Sequence, residues 1–320
     1  MSNIKLSVIV PTYNHEDYIE ECIRSIMSQE MVFEYEVLIG EDCSKDGTRK
    51  VLKKLETELP ANYKIFYREN NMGMGPSGNA WDLQRRAKGE YIITIEGDDY
   101  FLYNQKLKTQ VEFLDEHKDF IAVAHNCQVV NEDSENIEEE YPDCKEDEYT
   151  FSHYLDCLLA GQLATIMYRR EYNEIGLVFY EKYRLYDFYP GDRLKAFLML
   201  SLGRVRCFQE KWSAYRHITS KGTSYSATVR RDKKMEKNEL LFYKSIFKFA
   251  KDKSDKKAIK TSGKLYFSRY FIRSFEKEYR FVAFVKELFS QKYCMSYMMY
   301  TTKRTFMVIV AKIFRKGIEK

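Results

Sequence analysis

The stretch at residues 6–29 reads LSVIVPTYNHEDYIEECIRSIMSQ, and its pattern indicates the class of fold. Its first five residues, Leu6 to Val10, form a short run rich in β-branched side chains, and Pro11 stops it. From Tyr18 onward, apolar side chains recur every three or four residues, which is the spacing of a helix with one buried face. The stretch therefore predicts a strand, a loop and a helix, in that order.

The same unit recurs over the following residues. Apolar runs at 36–40, 64–68 and 91–96 alternate with helical patterns at 48–58 and 79–87. Such alternation predicts an α/β fold with a mostly parallel sheet and helices on both faces. Ligands bind such sheets at the carboxyl ends of the strands. The residues directly after each strand are therefore the candidate functional residues.

The second part of the chain changes character twice. After a helical pattern at 106–117 and a strand pattern at 121–130, the segment 131–148 holds ten acidic residues and one lysine. This composition indicates a solvated loop. Beyond about residue 230 the strand patterns end, and Phe, Tyr and Met alternate with Lys and Arg at helical spacing. We therefore predict a helical, basic region over 230–320.

Composition and charge limit the class of protein. Of the 320 residues, 44% are hydrophobic and 31% are charged, which is globular and excludes a collagen, a disordered protein or a small disulfide scaffold. Residues 230–320 carry 25 Lys and Arg against 9 Asp and Glu, or +16, while residues 1–229 carry 27 against 39, or −12. An acidic body with a basic tail predicts two different partners, one of them polyanionic.

The cysteines and the termini bear on location. The seven cysteines are scattered and form no C-x-x-C pair, so they indicate neither a zinc site nor a disulfide framework. No apolar core of a signal peptide follows Met1, and the run from Phe306 to Ala311 is too short to cross a bilayer. We expect a cytoplasmic protein whose tail lies on the inner face of the cell membrane.

Three polar clusters follow predicted strands, at 11–14, 41–48 and 96–99. Asp98 and Asp99 offer the hard oxygens that Mg²⁺ or Mn²⁺ prefers, although paired Asp residues are also common in surface turns. The second cluster holds more Asp and Ser than one helix cap requires, which favours a ligand site there.

A glycine motif offers an alternative. Gly73 to Gly78 satisfies G-x-G-x-x-G between a strand and a helix, and Glu96 follows 18 residues later, as in a dinucleotide fingerprint. However, Pro76 removes a backbone N–H from the turn, and that fingerprint normally follows the first strand. A loop that closes over another nucleotide is the favoured interpretation.

Four motifs in this order resemble the family-2 glycosyltransferases with a GT-A fold. They stand here as PTYN at 11–14, EDCSKDGT at 41–48, NNMG at 70–73, and GEYI at 89–92 leading to Asp98 and Asp99. The resemblance covers roughly residues 4 to 225. It implies a GT-A domain over 1–229, with a nucleotide-binding half at 1–105 and an acceptor-side half at 106–229, followed by the helical region 230–320.

The resemblance also assigns roles by position. Asp42 is implied to accept from the uracil N–H of a UDP-sugar, and Asp192 to act as the catalytic base, a position that can also cap its helix. The implied metal ligands, for Mg²⁺ or Mn²⁺, are Asp99 and, in the late Y-R-x-H segment, His217. The implied nucleotide-sugar contacts are Pro11, Thr12, Tyr13, Asn14, Glu41, Asp42, Asn71, Gly73, Asn79, Asp98 and Arg216.

Two departures from the family pattern stand out. Glu41 replaces the usual first Asp of its motif, which lengthens the acid. Gly78 stands where many relatives carry an Arg, so one cation near the phosphates is missing or is supplied by Arg85, Arg216 or Lys221.

The implied activity is inverting transfer from a nucleotide-sugar to a glycan or lipid-linked acceptor in cell-surface polysaccharide synthesis. The expected partners are these two substrates, an anionic membrane surface contacting 230–320, and a second copy that packs on the aromatic tail; no nucleic acid is expected. The alternatives are a nucleotidyltransferase, an NAD-dependent oxidoreductase using the loop from Gly73 to Gly78, and a non-enzymatic adaptor that binds nucleic acid through the basic tail. The first lacks a basic glycine-rich loop after strand one, the second leaves Asp42 and Asp98 unexplained, and the third lacks a recognisable binding module.

Overall fold

The structure, a computed structural model, describes residues 4–73, 77–187, 189–218, 233–276 and 280–318, with side chains omitted at 77, 233 and 307–318. Three features of the sequence lie outside these residues: the middle of the glycine motif, the polar turn that contains Lys221, and the boundary near residue 230. The chain divides into two compact units, residues 1–177 with 191–229 and residues 178–190 with 230–320.

The first unit begins with the repeated strand and helix pattern. Its elements are β1 (Leu6–Thr12), α1 (Ile19–Met27), β2 (Tyr35–Glu41), α2 (Thr48–Leu55), β3 (Tyr63–Tyr67), α3 (Ser77–Arg86) and β4 (Tyr91–Thr94). The four strands are parallel in the order β3-β2-β1-β4, with Leu6 opposite both Tyr35 and Tyr91. Their carboxyl ends therefore meet at one edge.

The unit continues with mixed pairing. Its further elements are β5 (Tyr100–Phe101), α4 (Lys106–Glu116), β6 (Phe120–Val130), β7 (Glu148–Tyr149), α5 (Phe151–Leu155), β8 (Met167–Arg169), the first part of α6 (Glu171–Lys182), α7 (Gly191–Leu202) and β9 (Arg204–Arg216). The part of α6 from Val178 onward belongs to the second unit. A 3₁₀ turn covers Leu163–Thr165. The sheet extends from β4 through β8, β6 and β9 to β5, nine strands in the described residues with β7 beside β9. The predicted α/β architecture is confirmed.

The core of the first unit is built around β1 and α1. All seven residues of β1 are buried, and the strand lies between β2 and β4. Ile19, Ile23 and Ile26 on one face of α1 pack into the same core. Burying side chains of this size contributes roughly 1.5–3 kcal/mol each.

The second unit is helical, which confirms the predicted helical C-terminal region. It contains α8 (Lys233–Asp252), α9 (Lys256–Arg273), α10 (Phe281–Phe289) and α11 (Cys294–Ile318). Asp255 caps α9 by accepting hydrogen bonds from the backbone N–H groups of Lys257 and Ala258. Aromatic rings form the core, where Phe267 and Tyr297 stack with centroids 5.2 Å apart. In the part of the chain that the structure describes, no helix has the length and apolarity to cross a bilayer.

Candidate functional site

The loops after β1 and β2 are fastened to each other. Asn14 adopts a left-handed conformation, φ 57°, which Asn tolerates better than most residues. Its backbone N–H donates to Ser44 Oγ at 3.0 Å, and its Oδ1 accepts from the Lys45 N–H at 2.9 Å. Asp46 accepts from the Thr48 hydroxyl at 2.6 Å and from the Glu16 N–H at 3.1 Å. The two polar clusters thus form one edge of the site.

Asp42 anchors the loop that follows β3. The carboxylate is buried, and it accepts from the Met72 N–H at 2.8 Å and from Asn71 Nδ2 at 3.1 Å. Burial raises the pKa of Asp42, which the Met72 N–H and Arg68 partly oppose. Asn71 Oδ1 in turn accepts from the N–H of Gly73, which has φ 66°. Asp42 therefore already holds two protein donors.

Glu41 and Asn79 point inward. The buried Glu41 carboxylate accepts from Arg49 Nε at 2.5 Å and from the Ser44 N–H at 2.6 Å. Asn79 Nδ2 donates to the Gly40 carbonyl at 2.7 Å, and a Cβ on Gly40 would lie 2.3 Å from Asn79 Oδ1. The longer acid at position 41 reaches Arg49 on α2 and braces the loop.

The remaining predicted contacts differ in exposure. Pro11 and Thr12 are buried at the end of β1, and Thr12 Oγ1 lies 3.2 Å from His15 Nδ1. Tyr13 and Asn71 are exposed at the same edge of the sheet. The Tyr13 side chain is available to a ligand as it stands, whereas the Asn71 amide is already bonded to Asp42 and to the Gly73 N–H.

Three carboxylates meet after β4. Glu96, Asp98 and Asp99 each offer an oxygen atom within 4.8 Å of the others. Asp99 is buried, and its two oxygens accept from the Arg216 N–H at 2.9 Å and from Gln162 Nε2 at 2.8 Å. Burial and then the charges of Asp98 and Glu96 raise the pKa of Asp99.

This cluster fits a divalent cation. Burial, followed by the charges of Asp98 and Asp192, raises the pKa of Glu96 to about 8. Asp98 is partly exposed, and its Oδ2 lies 3.7 Å from His15 Nε2. Three hard oxygen ligands that repel one another gain most from a shared Mg²⁺ or Mn²⁺. Asp98 and Glu96 keep more free lone pairs than Asp99.

Arg216 lies inside the protein, next to the carboxylate cluster. Its side chain is only 1% exposed. The guanidinium donates to the Asp98 carbonyl and to Glu21 Oε2, and also to the carbonyls of Asn131 and Glu132. These bonds use its donors inside the protein, so Arg216 joins the acidic loop to the backbone beside the carboxylate cluster, and its predicted contact with the nucleotide-sugar stays a prediction.

His217 also lies apart from the carboxylate cluster. Its Nδ1 lies 2.7 Å from Glu139 Oε2 of the acidic loop, and its ring stacks beside Tyr215. The cluster of possible metal ligands in the described residues does not include His217. The predicted metal contact of His217 therefore has no support from this geometry.

Asp192 lies in the first turn of α7 and is exposed to solvent. Among the described residues, none donates a hydrogen bond to its carboxylate. Although the side chain reaches solvent, surrounding protein raises the pKa of Asp192 by desolvation, and the charge of Lys195 opposes the shift. Because the charge of Asp192 also acts on Glu96, the predicted base and the carboxylate cluster share one site.

Three residues of this site were not anticipated from the sequence. Gln162 holds Asp99, and Lys195 is buried one turn after Asp192 with its Nζ 4.6 Å from the centre of the Tyr168 ring. Tyr141 comes from the acidic loop, and burial followed by the charge on Asp192 raises its pKa. In the sequence, only Lys195 gave a sign of such a role, because it is a lysine within the apolar pattern of α7.

A family model described as Glycosyl transferase family 2 matches residues 7–175, more than half of the chain. An uncharacterized protein of Mycobacterium tuberculosis is 31% identical over 169 residues, 52% of this chain and 47% of the relative. The poly(ribitol-phosphate) beta-N-acetylglucosaminyltransferase TarS of Staphylococcus aureus is 38% identical over 115 residues, 36% of this chain and 19% of TarS. The putative teichuronic acid biosynthesis glycosyltransferase TuaG of Bacillus subtilis is 36% identical over 116 residues, 36% of this chain and 44% of TuaG.

The chain thus matches less than half the length of these relatives. Among solved structures, residues 1–349 of S. aureus TarS in complex with UDP-GlcNAc superpose with a TM-score of 0.62 at 21% identity, over 85% of this chain and 74% of that one. At this identity the likeness establishes a shared fold.

Proposed function

Because the chain belongs to glycosyl transferase family 2, we propose that it transfers a sugar from a nucleotide-sugar to a hydroxyl group of an acceptor. The observation that carries the proposal is the cluster of Glu96, Asp98 and Asp99 that follows β4, with Asp192 near enough for its charge to raise the pKa of Glu96. The carboxyl ends of the strands are where open α/β sheets bind ligands.

The relatives support a particular donor and acceptor. TarS is named as an N-acetylglucosaminyltransferase and was solved with UDP-GlcNAc, and TuaG is named for teichuronic acid biosynthesis. We extend these by analogy to a UDP-sugar donor and to a glycan or lipid-linked acceptor of cell-surface polysaccharide synthesis. Tyr13 is then the exposed side chain that contacts the donor, and Asn71 holds the loop after β3 beside it through its bonds to Asp42 and Gly73.

The carboxylate cluster holds the metal in this proposal. Asp98 and Glu96 are the ligands with free lone pairs, and Asp99 sets their position through its bonds to Gln162 and the Arg216 N–H. A bound Mg²⁺ or Mn²⁺ would neutralise negative charge on the diphosphate leaving group. In this proposal Asp99 is therefore not the principal metal ligand; it holds the other two carboxylates in position.

Asp192 is the general base. It takes the proton from the acceptor hydroxyl as the acceptor oxygen bonds to the anomeric carbon, while the bond from that carbon to the diphosphate oxygen breaks on the opposite face. The configuration at the anomeric carbon is inverted. A carboxylate that reaches solvent and accepts no hydrogen bond from the described protein residues is free to accept this proton.

Replacement of Asp192 tests the assignment. We expect Asp192→Asn to fold and bind donor like the parent, and to lose transfer by roughly 10²–10⁴-fold, which is the usual contribution of a general base. Donor binding is measured by calorimetry with Mn²⁺, and transfer by nucleoside diphosphate release. Asp133→Asn, an exposed acid of the acidic loop, is the matched control. Transfer that persists in Asp192→Asn would rule out Asp192 as the base.

The donor class needs a separate experiment. Melting temperatures with UDP-sugars, other nucleotide-sugars, nucleoside triphosphates and NAD, each with Mn²⁺, distinguish a glycosyltransferase from a nucleotidyltransferase and from an oxidoreductase, since a bound ligand raises the melting temperature. We expect UDP-sugars to give the largest rise. A rise with NAD alone would overturn the proposal.

We further propose that residues 230–320 hold the protein at an anionic membrane surface, the inner face of the cell membrane. The net charge of +16 over these residues supports this, because each Lys or Arg near such a surface contributes about 1 kcal/mol.

A further inference from the structure

The second unit contains an apolar cavity of about 490 Å³. It lies among α9, α10 and α11, and none of the described side chains that line it is charged. Its volume falls in the range of about 300–1,000 Å³ that is typical of sites for small ligands. The lining includes Phe271, Phe281, Phe284, Leu288, Phe289 and Phe306.

The segment of the chain that lines this cavity also carries many of the exposed apolar side chains. Of the 15 large hydrophobic side chains that are exposed in the described residues, eight fall between Ile272 and Phe306. Phe281, Phe289 and Phe306 line the cavity and are also 45%, 59% and 66% exposed. An apolar concentration of this kind on a protein surface marks a contact with a partner or with lipid.

The net charge of this segment indicates which kind of partner binds at the cavity. Residues 280–306 carry five cationic residues against one acid, Glu287, or +4. The Glu287 carboxylate accepts a hydrogen bond from the Tyr266 hydroxyl at 2.9 Å. Two copies of the chain that met at this surface would bring two +4 segments together, whereas an anionic leaflet offers the opposite charge.

We infer that the cavity takes up an acyl chain of an anionic membrane leaflet. The inference rests on the membrane attachment proposed above and deepens it: Phe281 and Phe289 enter the acyl region while Lys286, Lys303 and Arg304 meet the phosphates. This is the arrangement of an interfacial helix, with an apolar face in the leaflet and Lys and Arg at the headgroups.

Tryptophan fluorescence reports the depth of insertion. Phe289→Trp is mixed with phosphatidylglycerol and phosphatidylcholine vesicles that carry brominated acyl chains, and Val32→Trp serves as the matched control, because Val32 is 79% exposed in the first unit. The parent protein, which contains Trp81 and Trp212, supplies the background. We expect a blue shift and quenching for Phe289→Trp and neither for Val32→Trp.

A second variant tests the contribution to binding. Phe281→Ser combined with Phe289→Ser is expected to weaken vesicle binding at least tenfold while the melting temperature stays near that of the parent, since both side chains are exposed. Val32→Ser is the control.

Each of the other possible results contradicts the acyl site, the membrane attachment or both. If vesicles bind the parent but Phe289→Trp is not quenched, attachment is electrostatic and the acyl site is overturned, while the attachment stands. If the parent fails to bind anionic vesicles, both fail. A change in Phe289→Trp emission that follows protein concentration without vesicles would assign the cavity to a second copy.

Discussion

At the scale of single residues, the charge state of Asp192 depends on the groups that face it. Lys195 lies one helical turn away, and burial lowers its pKa to about 8, against the opposing effect of Asp192. The ammonium therefore remains mostly charged at neutral pH and favours the ionised form of Asp192. Glu96 and Tyr141 face the same carboxylate, and a negative charge on Glu96 acts in the opposite direction.

Removal of this cation should move the pH dependence of transfer. The pKa of Asp192 is already raised by desolvation, and Lys195 holds it down. In Lys195→Met the pKa therefore rises further, more of the base is protonated at neutral pH, and the acid limb of kcat moves to higher pH. We expect activity lost at neutral pH to recover as the pH is raised, which a pH profile of kcat measures.

The conservative variant makes the result specific to charge. Lys195→Arg retains the cation and should keep the acid limb near that of the parent, and Lys64→Met, at an exposed site on β3, should leave the profile unchanged. An equal loss of kcat at every pH in Lys195→Met would mean that the lysine acts through packing alone.

At the scale of elements, the start of α2 connects two loops of the site. Asp46 accepts from the N–H and the hydroxyl of Thr48 in the first turn of α2 and from the Glu16 N–H in the loop after β1. Burial alone would raise the pKa of Asp46, but these hydrogen bonds outweigh it, and the pKa lies below its ordinary value. The ionised carboxylate therefore stabilises the folded state.

This stabilisation should depend on pH. Because the folded pKa of Asp46 is depressed, its contribution is present above the unfolded pKa of about 3.9 and is lost as the pH falls through the folded value. We expect Asp46→Asn to lower the free energy of unfolding by about 1 kcal/mol at neutral pH. Urea denaturation at pH 7 and below pH 4 measures the difference, with Asp133→Asn as the control. A deficit that persists unchanged at low pH would contradict the role of the charge.

The elements also show what the sequence could and could not predict. The buried runs of β1, β2 and β4 and the polar residues after them follow from local patterns, so the sheet edge and the residues on it were predictable. The function of Arg216 was not, because its acceptors lie as far away as Glu21, 195 positions earlier. Gln162 and Asp99 are 63 positions apart. Such pairings follow from the part of the sheet that contains both parallel and antiparallel strands, where β8 lies between β4 and β6. No local sequence pattern encodes them.

At the scale of the whole molecule, the two units carry different chemistry. The first 229 residues have a net charge of −12 and contain the carboxylate cluster, and the last 91 residues have a net charge of +16. The described helices of the second unit enclose the apolar cavity. Charge and apolar contact therefore contribute separately to the proposed attachment, and salt can separate the two.

High salt should release most of the protein from anionic vesicles without abolishing hydrolysis of the donor in solution. The screening length falls from about 10 Å at 0.1 M salt to about 3 Å at 1 M, which weakens attraction between dispersed cations and a leaflet, while oxygen ligands at about 2 Å from a metal are far less screened. Vesicle sedimentation measures binding and nucleoside diphosphate release measures donor hydrolysis, each at both salt concentrations.

Vesicle binding that remains at 1 M salt should disappear in the variant with Phe281→Ser and Phe289→Ser, because it depends on the acyl site. Vesicle binding that is insensitive to salt in both proteins would contradict an electrostatic attachment.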